Sequence, residues 1–128
     1  MSGITMFESA LIGHLVGDYI LQNDRQAANK FKNSWWCLLH VSLYTLAVIG
    51  LLSLHDWRWL NPAWPALVAV PHFLMDRFRL ARHWMTFNGQ EAFATNAMAP
   101  WSIVVVDNVI HLVCLYATVA AFGWWYGV

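Results

Sequence analysis

The sequence predicts an all-α fold, specifically an integral membrane four-helix bundle, on three observations. Fifty-nine per cent of the 128 residues are hydrophobic and 11% are charged. With a mean hydropathy of +0.46, that is too apolar for an ordinary soluble domain. Apolar runs of about span length recur four times, separated by connections whose basic residues alternate in density. Three of those runs carry a histidine and an aspartate four residues apart, which is costly at bilayer depth unless the groups are paired or bind something. The length suits a single domain, residues 1–128. Zero net charge gives no reason to expect a nucleic-acid partner.

The first helix is expected over about residues 5–22. Residues 1–6 lack the basic segment that opens a cleavable signal. The second helix, 34–54, is the clearest span, apolar from 41 to 52 apart from Ser42, Tyr44 and Thr45. The third, 61–80, has Pro62 and Pro65 in its first turn, and Pro71 predicts a kink beside His72 by removing a backbone donor. The fourth, 101–125, follows Pro100. On hydropathy alone the first and third are weak spans. Cys37 and Cys114 lie in apolar runs at no zinc or redox spacing and read as small buried hydrophobes.

The connections set an orientation. Residues 23–33 hold Arg25, Lys30 and Lys32 against Asp24, and the third connection opens on Arg77, Arg79 and Arg82 with only Glu91 in return. The connection at 55–59 has one Asp and one Arg. The positive-inside rule then puts the first and third connections in the cytoplasm and both termini on the non-cytoplasmic side. The expected location is the cytoplasmic (inner) membrane, with multiple spans. Trp35, Trp36, Trp84 and Trp101 would mark the cytoplasmic interface, and Trp57, Trp59, Trp64, Trp124 and Trp125 the opposite one. The long third connection, 81–99, reads either as an interfacial lid over the cytoplasmic mouth or as a solvated connector.

In that topology the ionisable residues converge. His14 and Asp18 close the first helix, His40 lies in the second turn of the second, His72 and Asp76 close the third, and Asp107 and His111 open the fourth. All fall in one slab roughly 6–15 Å below the cytoplasmic boundary at the helical rise. The order reverses from His–Asp to Asp–His in the ascending helix, so each Asp lies nearer the cytoplasm. Such a set offers nitrogen and oxygen ligands for one or two divalent cations, zinc or manganese or iron by chemistry. Other readings stay open: a structural His–Asp hydrogen bond within each helix, haem held by facing histidines, or a proton or ion pathway. Glu8 is expected to be solvated near the outer interface, and His55 and His83 to lie on the surface. Tyr19, Tyr44 and Ser42 are candidates for orienting the ligands. Arg77, Arg79 and Arg82, with Gln22, could hold an anionic head group at the mouth, or serve only as the positive-inside signal. The first and third helices share H-x-x-x-D at corresponding ends, which hints at an internal duplication of a helical hairpin.

These motifs resemble the DUF3307 family of small bacterial and phage-borne membrane proteins of unknown function. The family pattern combines H-x-x-G-D-x-x-L-Q, a His in the second helix, H-x-x-x-D-x-x-K, and a D-Q element ahead of a His in the last helix. Here the counterparts are His14 through Asp18 to Gln22, His40, His72 through Asp76 to Arg79, and Asp107-Asn108 ahead of His111. Arg79 stands in place of Lys, and Asn108 in place of Gln. The arrangement is more distantly similar to membrane-bound metal-dependent hydrolases, a similarity that implies metal chemistry and no particular substrate.

The leading expectation is therefore a membrane metal-binding protein acting as a metal-dependent hydrolase. Its substrate would be a lipid or lipid-linked phosphate or ester at the cytoplasmic leaflet. The metal ligands would be His14, Asp18, His40, His72, Asp76, Asp107 and His111, with His40 and Asp18 as catalytic acid–base candidates. The competing expectation is an ion or proton carrier, or a metal-stabilised subunit of a membrane complex. The nearly apolar outer halves of the second and fourth helices favour a one-sided site. Membrane lipid is the expected partner, along with a second copy of the chain or another membrane subunit.

Overall fold

The computed structural model describes residues 3–95, 97 and 99–128, and all of its regular elements are helical. Helix α1, Met6–Leu15, starts on a capping box in which Thr5 Oγ1 accepts from the Glu8 amide and Glu8 Oε2 accepts from the Thr5 amide. It runs on into a π-helical turn, Val16–Ile20. The short helix α2, Asp24–Asn29, is capped by Asn23, and α3, Ser34–Ser53, by Asn33. A 3₁₀ turn, Trp57–Leu60, leads to α4, Ala63–Arg77, which contains Pro71. Helices α5, Leu80–Phe87, and α6, Glu91–Thr95, precede the long α7, Ala99–Tyr126.

The expected spans map onto α1 with its π turn, α3, α4 and α7, and the largest boundary difference is at the end of α4. Arg79 adopts a left-handed backbone (φ 53°), which stops the helix and turns the chain into α5. Such a conformation costs energy in a residue with a side chain. The third connection is thus not one segment. It contains α5, which buries Ala81 and Met85 and leaves Trp84 and Phe87 outside, and then α6. Residues 96 and 98 lie outside the described set.

Around the bundle the neighbours run α1–α3–α4–α7 and back to α1. The diagonal pairs meet only through side chains projecting into the middle. Two glycines allow the closest of these packings. A Cβ on Gly13 would lie 2.7 Å from Val48 Cα, and one on Gly17 would lie 2.7 Å from the Tyr44 ring and 3.0 Å from its Cα. Gly13-x-x-x-Gly17 therefore lets α1 ride directly on the backbone of α3, as small-residue pairs do between apolar helices. That approach carries His14 and Asp18 up against His40 and Tyr44.

The two ends of the bundle differ in content. At one end Trp59 stacks on Phe122 (4.0 Å, 6°), Trp64 meets Phe122 edge-on, and Arg58 lies over the Tyr126 ring at 4.4 Å. Asp56 holds Arg58 in a two-oxygen ion pair, and the bond to Arg58 lowers the Asp56 pKa below the usual carboxylate range. Trp59 and Trp64 are therefore core residues, buried at 0% and 7% exposure, and not the interfacial anchors their loop positions suggest. Trp57, Trp124 and Trp125 at the same end are exposed, as are Trp35, Trp84 and Trp101 at the other. Two helices, Ser34–Ser53 and Pro100–Tyr126, are long and apolar enough to cross a membrane.

Candidate metal centre

The opposite end holds the ionisable groups. Asp18 comes from the π turn after α1, a widened turn of the kind found at functional sites. His40 comes from α3, and His72 and Asp76, one turn apart, from α4. Four atoms converge: Asp18 Oδ1, His40 Nε2, His72 Nε2 and Asp76 Oδ2. Both carboxylate oxygens lie 3.1 Å from His40 Nε2, the two Nε2 atoms are 3.0 Å apart, and His72 Nε2 is 3.2 Å from Asp76 and 3.5 Å from Asp18. A tetrahedral ion with ligands at 2.0–2.1 Å has ligand–ligand edges of about 3.3–3.4 Å. The observed edges bracket that value.

The protonation chemistry points the same way. Two imidazole nitrogens 3.0 Å apart cannot both carry a hydrogen, so at least one presents a lone pair to two carboxylates. Asp18 Oδ1 has no contact aligned as a hydrogen bond. Atoms grouped this closely and all buried need positive charge or shared protons among them to offset their repulsion. Packing orients the rings: Tyr44 lies against His72 at 3.7 Å between centroids. The Nδ1 atoms of His40 and His72 are buried without a partner among the described residues.

Asp76, Asp107 and His111 form a second group, with Asp76 Oδ1 3.6 Å from His111 Nε2 and Asp107 Oδ2 3.4 Å from His111 Nδ1. His111 Nδ1 lies 2.7 Å from the Asp107 carbonyl oxygen. A carbonyl only accepts, so Nδ1 carries a hydrogen and, in the neutral ring, Nε2 is left with its lone pair. That Nε2 is buried, has no hydrogen-bond partner, and faces Asp76 Oδ1 at 3.6 Å. Asp107 is half-buried and lines a cavity of about 270 Å³.

His14 is placed differently from the expectation that it ligates metal. Asn108 Nδ2 donates to the Val104 carbonyl and to the Tyr19 hydroxyl, which fixes its Oδ1 as the acceptor from His14 Nε2 at 2.8 Å. His14 Nδ1 is then an acceptor, 3.1 Å from the Tyr44 hydroxyl. Both ring nitrogens are engaged and His14 falls in neither ligand group, although its Nδ1 lies 3.3 Å from Asp18 Oδ2. Tyr44 thus hydrogen-bonds His14 beside the cluster, and Tyr19 hydrogen-bonds Asn108. Ser42 is exposed and bonds its own helix at Leu38 instead.

The basic residues divide. Arg77 donates to the Phe31 carbonyl and to Ser34 Oγ, tying α4 to the start of α3. Arg79 lies over the Phe31 ring at 4.2 Å and Arg82 reaches Glu91. Both line the cavity, as do Gln22, Asp76 and Asp107. Lys30 lines it too and was not among the expected site residues. Its Nζ lies 2.8 Å from Asp76 Oδ2. Burial pulls its pKa down, but the Asp76 carboxylate outweighs this and holds it above the ordinary lysine range. Nothing in the local sequence separates Lys30 from a positive-inside lysine; only the fold of α2 over the bundle end does. Elsewhere Glu8 is exposed in its cap and His83 is exposed. His55 is half-buried, its Nε2 2.7 Å from Ser9 Oγ, rather than free on the surface.

Fold and site together define a class: an all-α protein whose helices bring His and Asp side chains into one buried cluster able to hold a metal ion. A family model described as "Protein of unknown function (DUF3307)" matches residues 6–126, and the chain belongs to that family. No curated protein and no solved structure matches it.

Proposed function

We propose that this is a four-span inner-membrane protein that binds a divalent cation between Asp18, His40, His72 and Asp76 and hydrolyses a lipid or lipid-linked phosphate or ester at the cytoplasmic leaflet. The observation that carries the cation is the spacing of four buried donor atoms, five of whose six edges are 3.0–3.5 Å and thus near those of a tetrahedral site. Two nitrogens and two oxygens at those edges suit zinc best, while manganese or iron would need further ligands. A cation in this cluster with a position open toward the cavity would supply Lewis acidity and lower the pKa of a bound water. The protein's own part is to hold the donors, keep Asp76 and Asp107 facing the cavity, and attract an anion with Lys30, Arg79 and Arg82.

The membrane reading is supported by what the bundle leaves outside. Val105, Val109, Val113, Tyr116, Trp124 and Trp125 of α7 are all more than half exposed, a continuous apolar face that water does not tolerate well. At the helical rise α3 and α7 reach about 30 and 40 Å, enough to cross hydrocarbon. Helices α1 and α4 are shorter, and both termini would face outward if the basic connections are cytoplasmic. A groove between α5 and α7, lined by Leu80, Trp84, Phe87, Val109 and Val113, supports membrane lipid as the partner. A carrier is disfavoured by the Trp59–Trp64–Phe122 plug, which closes the far end of the bundle.

Elemental analysis of purified protein tests the first half. Stoichiometric zinc is expected, and it should be lost in His72→Ala; metal-free parent protein would end the proposal. Hydrolysis of lipid phosphates and esters tests the second half, with activity expected to disappear on chelation. Chelation-insensitive turnover would exclude the mechanism, and metal binding without turnover would make the ion structural. Reporter fusions at each connection test the orientation.

A further inference from the structure

We infer that Asp76 bridges two cation sites, and that the second, built by Asp76 Oδ1, Asp107 and His111 Nε2, is the open one. This rests on the first site being a cation site. Asp76 turns its two oxygens in different directions, Oδ2 toward His40 and His72 and Oδ1 toward His111. The lone pair of His111 Nε2 and the carboxylate oxygen face each other at 3.6 Å, and the Asp107 carbonyl forbids the tautomer that would put a hydrogen between them. A buried imidazole fixed in this way is oriented as metal-ligating histidines are.

The two groups differ as closed and open sites do. The first has four buried donors from three elements and no free position. The second has three donors, and its Asp107 side chain is 30% exposed on the wall of the cavity, leaving room for a further ligand. Lys30 does not preclude either ion, since a carboxylate oxygen has two lone pairs and can accept from an ammonium while ligating a metal. Charge ranks the sites. Asp18, Asp76 and Asp107 against Lys30 leave two negative charges, which one dication cancels. The second ion therefore enters an already neutral centre and binds more weakly.

The test is a titration of purified full-length protein in detergent with Co(II), which takes the tetrahedral coordination of zinc and is paramagnetic, read by elemental analysis and electron paramagnetic resonance. The parent should bind two ions per chain, the tighter first, with the spectrum of an exchange-coupled pair when both are bound. Asp107→Asn and His111→Ala should each retain the tighter ion and lose the second with its coupling. Asp107→Asn is isosteric and half-buried, so it decides the matter if His111→Ala fails to fold by circular dichroism and gel filtration. One uncoupled ion in the parent, or two coupled ions retained in Asp107→Asn, would overturn the second site and leave the first intact. No bound ion in the parent would overturn both.

Discussion

The two ends of this bundle are built on opposite principles. At the aromatic end the large groups are held by packing: Trp59 stacks on Phe122, although its buried Nε1–H finds no acceptor among the described residues, Trp64 donates to the Tyr126 hydroxyl at 3.4 Å, and Arg58 is neutralised by Asp56. At the polar end the groups are equally buried, yet they converge with lone pairs facing one another and leave Asp18 Oδ1 and His111 Nε2 without hydrogen bonds. Stability in the one should be independent of metal, and in the other conditional on it.

Breaking the aromatic end should have the largest effect. Phe122→Ala removes a fully buried ring between two tryptophans and is expected to cost about 3–5 kcal/mol. The loss in a thermal or denaturant melt should be the same with and without chelator. Asp18→Asn should behave in the reverse sense. With metal at a hundred times its dissociation constant, about 2.7 kcal/mol of linked stability should vanish. In chelator the variant should match or exceed the parent, because one of two facing carboxylates is gone. A variant equally unstable in both conditions would show the cluster to be an ordinary core.

Two smaller changes sharpen the contrast by acting between the ends. Gly13→Ala forces a Cβ against the Val48 backbone and is expected to cost about 1–3 kcal/mol, with weakened metal binding because α1 carries Asp18 away from α3. Unchanged metal affinity in a destabilised variant would mean that the helix approach does not set the site. Tyr44→Phe removes only the hydroxyl that His14 accepts from. Metal affinity by competition titration should fall about 10-fold, in the range for lost orienting groups, with little change in the metal-free melt.

Much of the polar end was legible in the sequence. His–Asp spacings of four, the reversed order in the last helix and the alternation of basic connections put these side chains at one level, because helical rise converts sequence position into depth. Within that level the sequence does not separate members of the cluster from their neighbours. His14 and His72 both precede an Asp by four residues, yet His14 is consumed by Tyr44 and Asn108 while His72 points into the quartet. Asn108, read as a departure from the family pattern, turns out to set the His14 tautomer. Gly13-x-x-x-Gly17 was a signal present in the sequence and not used. The placements of Trp59 and Trp64 were misread because loop-adjacent tryptophans suit an interface and a core equally well.

By itself, then, the sequence determined the four longer helical stretches, their apolar surfaces and the level along the bundle at which titratable groups lie, since all of these follow from periodicity and helical rise along a single chain. Tertiary structure alone decided the rest. Which oxygen of Asp76 faces which imidazole, that Lys30 reaches Asp76 and that Arg77 turns away depend on rotation of each helix about its axis and on the contact between α1 and α3. Those are fixed by packing between segments far apart in the chain, where a rotation of a few tens of degrees exchanges a ligand for a neighbour.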